Sequence, residues 1–174
     1  MRIIPKYLIM RYIVIVFLAM LASCQKDKGN YFDPRKPIIR DVGLDIFVEN
    51  NKGENLLSPA TANYIDWKAI RLFYLMEDQK VEIYDLNMDC PRNICLLNEL
   101  NSEWIRVIPY FLNDEEYPIT YIEWNEFDTD TIQCHFLREN NGSIQVCDQV
   151  WLNGSQVYPG EEVYGVKRSF KVIK

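Results

Sequence analysis

From Ile38 to the C-terminus the apolar residues recur with a period of two. Leu44, Ile46 and Val48 alternate with Asp45 and Glu49, Val81 and Ile83 with Glu82 and Tyr84, and Ile132, Cys134 and Phe136 with Thr131, Gln133 and His135. Ile105, Val107 and Phe111 share one parity, with Pro109 marking an edge strand or a bulge, and Ile144, Val146, Val150 and Leu152 share another. Successive side chains of an extended strand point to opposite faces. The pattern therefore predicts antiparallel strands, each buried on one side. No segment carries a convincing period of 3.6; only Leu96–Trp104 has the makings of one short helical turn.

Turn formers punctuate these runs at short intervals, at 50–55, 77–80, 113–116, Asn140-Asn141-Gly142 and Asn153-Gly154. Alternating strands with frequent turns predict an all-β fold, an antiparallel β-sandwich of immunoglobulin or transthyretin type, with a small barrel as the alternative. The hairpin around Asn141 allows a finer expectation. A three-residue loop with Gly142 in the left-handed region sets Phe136 opposite Val146, both inward, and His135 opposite Cys147, both outward.

The N-terminal segment follows a different rule. Residues 1–23 carry Arg2, Lys6, Arg11 and no acid, and Tyr12 to Ala22 is an uninterrupted apolar run of a length that suits a secretory signal better than a membrane span. Leu21-Ala22-Ser23-Cys24 resembles a bacterial lipobox. That resemblance implies acylation of Cys24 and cleavage before it, with palmitate-type chains anchoring the protein to a membrane through buried CH₂ groups. The expected organisation is a signal peptide over 1–23, a lipidated cysteine and polar tether over 24–37, and a β-sandwich over 38–174. Losing the three signal-peptide cations takes the net charge from −6 to −9, which leaves no basic surface for nucleic acid.

Four cysteines remain, and an exported chain can oxidise them in three connectivities. Cys90-Pro-Arg-Asn-Ile-Cys95 is a compact loop that favours a local Cys90–Cys95 bridge. Strict alternation puts Cys134 and Cys147 on opposite faces, where they cannot bridge without a bulge, so Cys134 is expected as a buried thiol. A metal site is not expected. Zinc takes four ligands, the cysteine spacing is wrong, and His135, a solvent-facing strand residue on parity, is the single histidine.

Catalytic patterns are sparse. One histidine and no nucleophile motif argue against a serine or cysteine triad, and the 7 glycines form no phosphate loop or dinucleotide fingerprint, so no cofactor is expected. The acids Glu123, Glu126, Asp128 and Asp130 beside Trp124 admit a carboxylate pair (Glu123 and Glu126) or a calcium-like site, but their place between two strands reads first as a solvated turn. Among the 4 tryptophans, Trp124 falls on an inward parity and Trp151 on an outward one, which makes Trp151 the candidate for stacking on a sugar; parity leaves Trp67 and Trp104 unassigned.

Ser-Cys-Gln-Lys-Asp-Lys-Gly-Asn at 23–30, Lys-Gly-Glu-Asn-Leu-Leu at 52–57, Glu-Trp at 123–124 with Asp-Thr-Ile at 130–132, and Trp-Leu-Asn-Gly at 151–154 together resemble small outer-membrane lipoproteins of Bacteroidota with β-sandwich domains. The resemblance implies an outer-membrane address, on the periplasmic or the outer face, and no defined site. Asp130-Thr131-Ile132 also resembles the O-glycosylation motif of that phylum, which marks Thr131. The function expected from the whole is a non-catalytic, lipid-anchored envelope protein that binds a partner protein or glycan. The alternatives are an adhesive subunit that pairs through an edge strand (Pro109 or the Val166–Lys174 run) and a carboxylate-pair glycoside hydrolase.

Overall fold

The structure, a computed structural model, describes residues 38–99, 102–112, 115–139, 142–161 and 163–174. The expected signal peptide, Cys24 and the tether lie outside these residues.

The two-residue period becomes eleven strands among the described residues: β1 (Ile39–Asp41), β2 (Leu44–Glu49), β3 (Arg71–Met76), β4 (Gln79–Glu82), β5 (Ile94–Glu99), β6 (Ser102–Val107), β7 (Ile119–Asn125), β8 (Asp128–Glu139), β9 (Ile144–Leu152), β10 (Ser155–Tyr158) and β11 (Ser169–Ile173). No helix occurs among them. One sheet runs β1-β9-β8-β7-β3-β4 with β10 also on β9, and the other runs β11-β2-β6-β5. They pack face to face as a sandwich, and no barrel closes. Both sheets are mixed. The hairpin pairings are antiparallel as the alternation requires, but β1 lies parallel to β9 and β11 parallel to β2. These are pairings between strands far apart in sequence, which parity does not reveal.

The core is the inward parity of both sheets. Leu72, Ile122, Ile132 and Val150 of the larger sheet face Leu44, Ile46, Ile105 and Val107 of the smaller one, all at 0 % exposure. At about 1.5–3 kcal/mol for each large aliphatic side chain, this layer supplies the main cohesion between the sheets. The tight turns follow residue chemistry. Asn153 (φ 50°) and Gly154 (φ 80°) form the two-residue loop from β9 to β10, and Glu77 and Asp78 take the same left-handed conformations between β3 and β4.

Three local expectations are corrected. Leu96–Trp104 is not a helical turn; it falls within the β5–β6 hairpin, in which Leu97 pairs with Trp104 and Glu99 with Ser102. Pro109 marks neither an edge nor a bulge. It is buried and follows the end of β6, which lies between β2 and β5. The β8–β9 register is also shifted: Phe136 pairs with Cys147, and His135 with Gln149. Gly142 does adopt φ +78°, but Glu139 already pairs with Ile144, and Asp148 is then left without a partner, so β9 changes face in mid-strand.

Candidate functional site

Strand β2 is buried on both faces, although its sequence reads as half-polar. Its outward residues Asp45, Phe47 and Glu49 are each covered in a different way. Asp45 accepts two hydrogen bonds from the Arg106 guanidinium, at 2.8 and 2.7 Å. Such a forked pair satisfies both carboxylate oxygens at once. Glu49 accepts from the Lys171 ammonium at 2.9 Å and from the Tyr164 hydroxyl at 3.0 Å. Hydrogen bonding to Glu49 pushes the Lys171 ammonium above its ordinary value.

Between these two polar clusters lies an aromatic groove. Phe47 stacks on Trp104 of the neighbouring strand at 5.3 Å and 27°, and Tyr164 meets Phe47 edge-on at 5.2 Å and 66°. Glu99, Ser102 and Val166 complete the walls of a space of about 430 Å³. That volume falls within the range of about 300–1,000 Å³ typical of small-molecule sites. Tyr164 sits in the short loop before β11, with φ 52° and 65 % of its surface exposed. Trp104, by contrast, is 5 % exposed, and its Nε1–H has no hydrogen-bond partner among the described residues. A buried N–H without an acceptor costs about 1–3 kcal/mol. Tyr164 offers an exposed ring at the mouth of the groove, and the exposed Glu99 carboxylate offers acceptors.

The larger sheet presents a different outer face. Phe73 and Tyr121 lie beside each other on neighbouring strands, with the Lys80 ammonium 4.4 and 5.1 Å from the two ring centres. Trp151 is on this face, as parity requires, but it is half-buried and meets Tyr117 edge-on at 5.8 Å. His135, also half-buried, shares a 2.6 Å hydrogen bond with Asp148. Thr131 pairs with Tyr121 across the strands, and its backbone N–H donates to the Asn153 side chain.

The structure separates the acids clustered in the sequence. Glu123 lies on the outer face in ion pairs with Arg71 and Lys80, whereas Glu126 is exposed in the β7–β8 turn beside Phe127, which is 96 % exposed. Both act electrostatically on Arg71. Asp130 overturns the expectation of a solvated turn. It is buried and accepts from Trp124 Nε1 at 2.7 Å, Asn153 Nδ2 at 2.7 Å and Lys174 Nζ at 2.7 Å, while Lys174 also reaches Asp128. Burial pushes the Asp130 carboxyl up, but these three donors outweigh it and hold it below the ordinary carboxylate value. The cluster already contains its own cation, and among the described residues no group of three His, Cys, Asp or Glu is placed to hold a metal ion.

Cys90 and Cys95 are disulfide-bonded with their Cα atoms 5.3 Å apart. The bridge shapes a smaller groove of about 280 Å³ lined by Trp67, Lys68, Tyr84, Pro91, Arg92 and Ile94.

Sequence reasoning therefore missed Phe47, Trp104 and Tyr164. One signal was present. Phe47 occupies the polar parity of β2, between Asp45 and Glu49, and a large aromatic there needs a cover. No protein-family model, curated protein or solved structure matches the chain.

Proposed function

We propose that the chain is a non-catalytic lipoprotein of the Bacteroidota outer-membrane type, anchored through Cys24, whose sandwich binds a glycan in the Phe47–Trp104–Tyr164 groove. The observation that carries the reading is the aromatic groove, in whose wall the Trp104 N–H is buried without a partner among the described residues. A saccharide suits this surface chemically. Its C–H faces stack on rings, its hydroxyl oxygens accept from an indole, and its hydroxyl protons donate to a carboxylate such as Glu99. A purely apolar ligand would leave the indole donor unmet, and an anionic one would meet Glu99 and Glu49. Two of the edge strands carry charges that discourage strand addition, Lys80 and Glu82 on β4 and Lys171 on β11, which favours binding over self-assembly at those edges.

A glycan microarray probed with the purified chain tests the reading. The expected result is a set of related saccharide hits that disappear in Trp104→Phe and weaken in Tyr164→Ala, while Trp151→Ala retains them. An array without hits, or hits indifferent to Trp104, would overturn the binding site. The anchor is tested separately: metabolic labelling with an alkyne fatty acid is expected to mark the wild type and not Cys24→Ser. Protease shaving of intact and lysed cells then distinguishes the two membrane faces.

A further inference from the structure

Cys134 and Cys147 have surroundings that two-residue alternation does not predict. They are 0 % and 1 % exposed and both face the core. The cause is the bulge in β9. Phe136 pairs with Cys147 and His135 with Gln149, so Asp148 is an extra residue on β9, and Cys147 and Val150, three apart, both point inward. Cys134 pairs with Val150. The two thiols, both free in this structure, thus occupy diagonal positions on one face of neighbouring strands. The neighbouring Cys147 thiol, together with burial, pushes the Cys134 thiol well above its ordinary value. The Cys147 thiol in turn lies 3.7 Å from the Gln149 carbonyl.

Other roles for the pair fail on chemistry. A catalytic thiol needs an accessible thiolate, and both thiols are shielded in the core, with Cys134 held protonated. A metal would need further ligands, and none of the required type gathers here among the described residues. What remains is the reaction of two thiols with each other.

We propose that Cys134 and Cys147 form a second disulfide in the exported protein, closing the β8–β9 hairpin across its bulge. This rests on the reading that the chain leaves the cytoplasm, where it meets a disulfide-bearing oxidant, either an oxidoreductase or a small-molecule disulfide. One cysteine thiolate attacks a sulfur of the oxidant's disulfide, forms a mixed disulfide and releases the other oxidant sulfur as a thiolate. The second cysteine thiolate then attacks the protein sulfur of that mixed disulfide, forms the Sγ–Sγ bond and expels the remaining oxidant thiolate. The protein loses two protons and two electrons, and the oxidant takes up both as a dithiol or two thiols. Because the native core shields both sulfurs, the exchange takes place while the hairpin is still open. Once formed, the bond resists a reductant until the domain unfolds.

The test uses the full-length chain from the envelope fraction, denatured in iodoacetamide without reductant, digested and analysed by mass spectrometry. The expected result is a peptide pair joined through Cys134 and Cys147, two hydrogens lighter than the separate thiol peptides, with neither cysteine alkylated. Recovery of Cys134 and Cys147 alkylated while Cys90 and Cys95 remain linked would overturn this proposal and leave the export reading standing. Alkylation of all four would overturn both.

Discussion

Trp124 and Trp104 are both buried strand tryptophans, at 3 % and 5 % exposure, one in each sheet. Trp124 points into the sandwich, and its indole N–H ends on Asp130, with the Lys174 ammonium 5.2 Å over its ring. Trp104 faces away from the sandwich interior, is covered by another aromatic ring rather than by the opposite sheet, and has an indole N–H with no acceptor among the described residues. The first residue is a finished structural joint. The second has paid for burial without receiving a hydrogen bond. The difference teaches that polar satisfaction separates these two tryptophans better than exposure does, since both are almost equally hidden.

The comparison can be broken most forcefully at Asp130. Asp130→Ala removes the acceptor shared by Trp124, Asn153 and Lys174, leaving the indole and amide donors unmatched and the ammonium on Asp128 alone, so chemical denaturation is expected to show a loss of about 3–5 kcal/mol. A smaller but still large effect comes from alkali at Tyr74. Burial pushes its hydroxyl up to about 12, against a partial opposing effect of the Asn93 side chain that donates to it. A folded-state value above the unfolded one means that the stabilisation is complete below about pH 10 and is lost as pH rises towards about 12. The expected loss is about 2–3 kcal/mol across that window, absent in Tyr74→Phe. For Asp130 the sign is reversed. Its depressed value gives stability that is present above the ordinary carboxylate value of 3.8 and is lost as pH falls through the folded-state value. Acid titration of stability should therefore flatten in Asp130→Asn.

The tryptophans themselves sharpen the contrast. Trp124→Phe removes one of the two donors to Asp130 Oδ2, leaving Lys174 on it, and is expected to cost about 1–3 kcal/mol by thermal or urea unfolding. Trp104→Phe removes a donor that had no partner, so the unfolding midpoint is expected to move by less than about 1 kcal/mol equivalent, while saccharide binding is lost. A Trp104→Phe loss as large as that of Trp124→Phe would show the two residues to be the same kind of joint.

How much of this was legible follows from what a period of two contains. It assigns faces within a strand, so Leu44, Ile46, Ile105, Ile122, Trp124 and Ile132 were placed correctly in the core, and the sandwich follows from them. It does not name neighbours, so the parallel pairings of β1 and β11 stayed hidden. It also fails wherever the period breaks. The bulge at Asp148 turned Cys147 inward, and no local residue pattern announces a bulge that contains no glycine. Asp130 looked solvated because its cation, Lys174, is distant in sequence. The groove was the least legible part, since Phe47, Trp104 and Tyr164 come from three separated segments and only Phe47 was out of place on its own strand.

The parallel seating of β11 against β2 has a kinetic consequence. Residues 44–49 are among the first of the domain to emerge when a chain is delivered N-terminus first, and residues 169–173, their partners on one side, are among the last. A strand that must wait for a distant partner keeps one hydrogen-bonding edge open throughout delivery, and late long-range pairing slows folding. The order of events is thereby fixed: the local hairpins β5–β6, β7–β8 and β8–β9 can form first, and the sandwich locks only when the final strand arrives. Until then Phe47 has no Tyr164 beside it, so the groove is the last feature of the molecule to come into being.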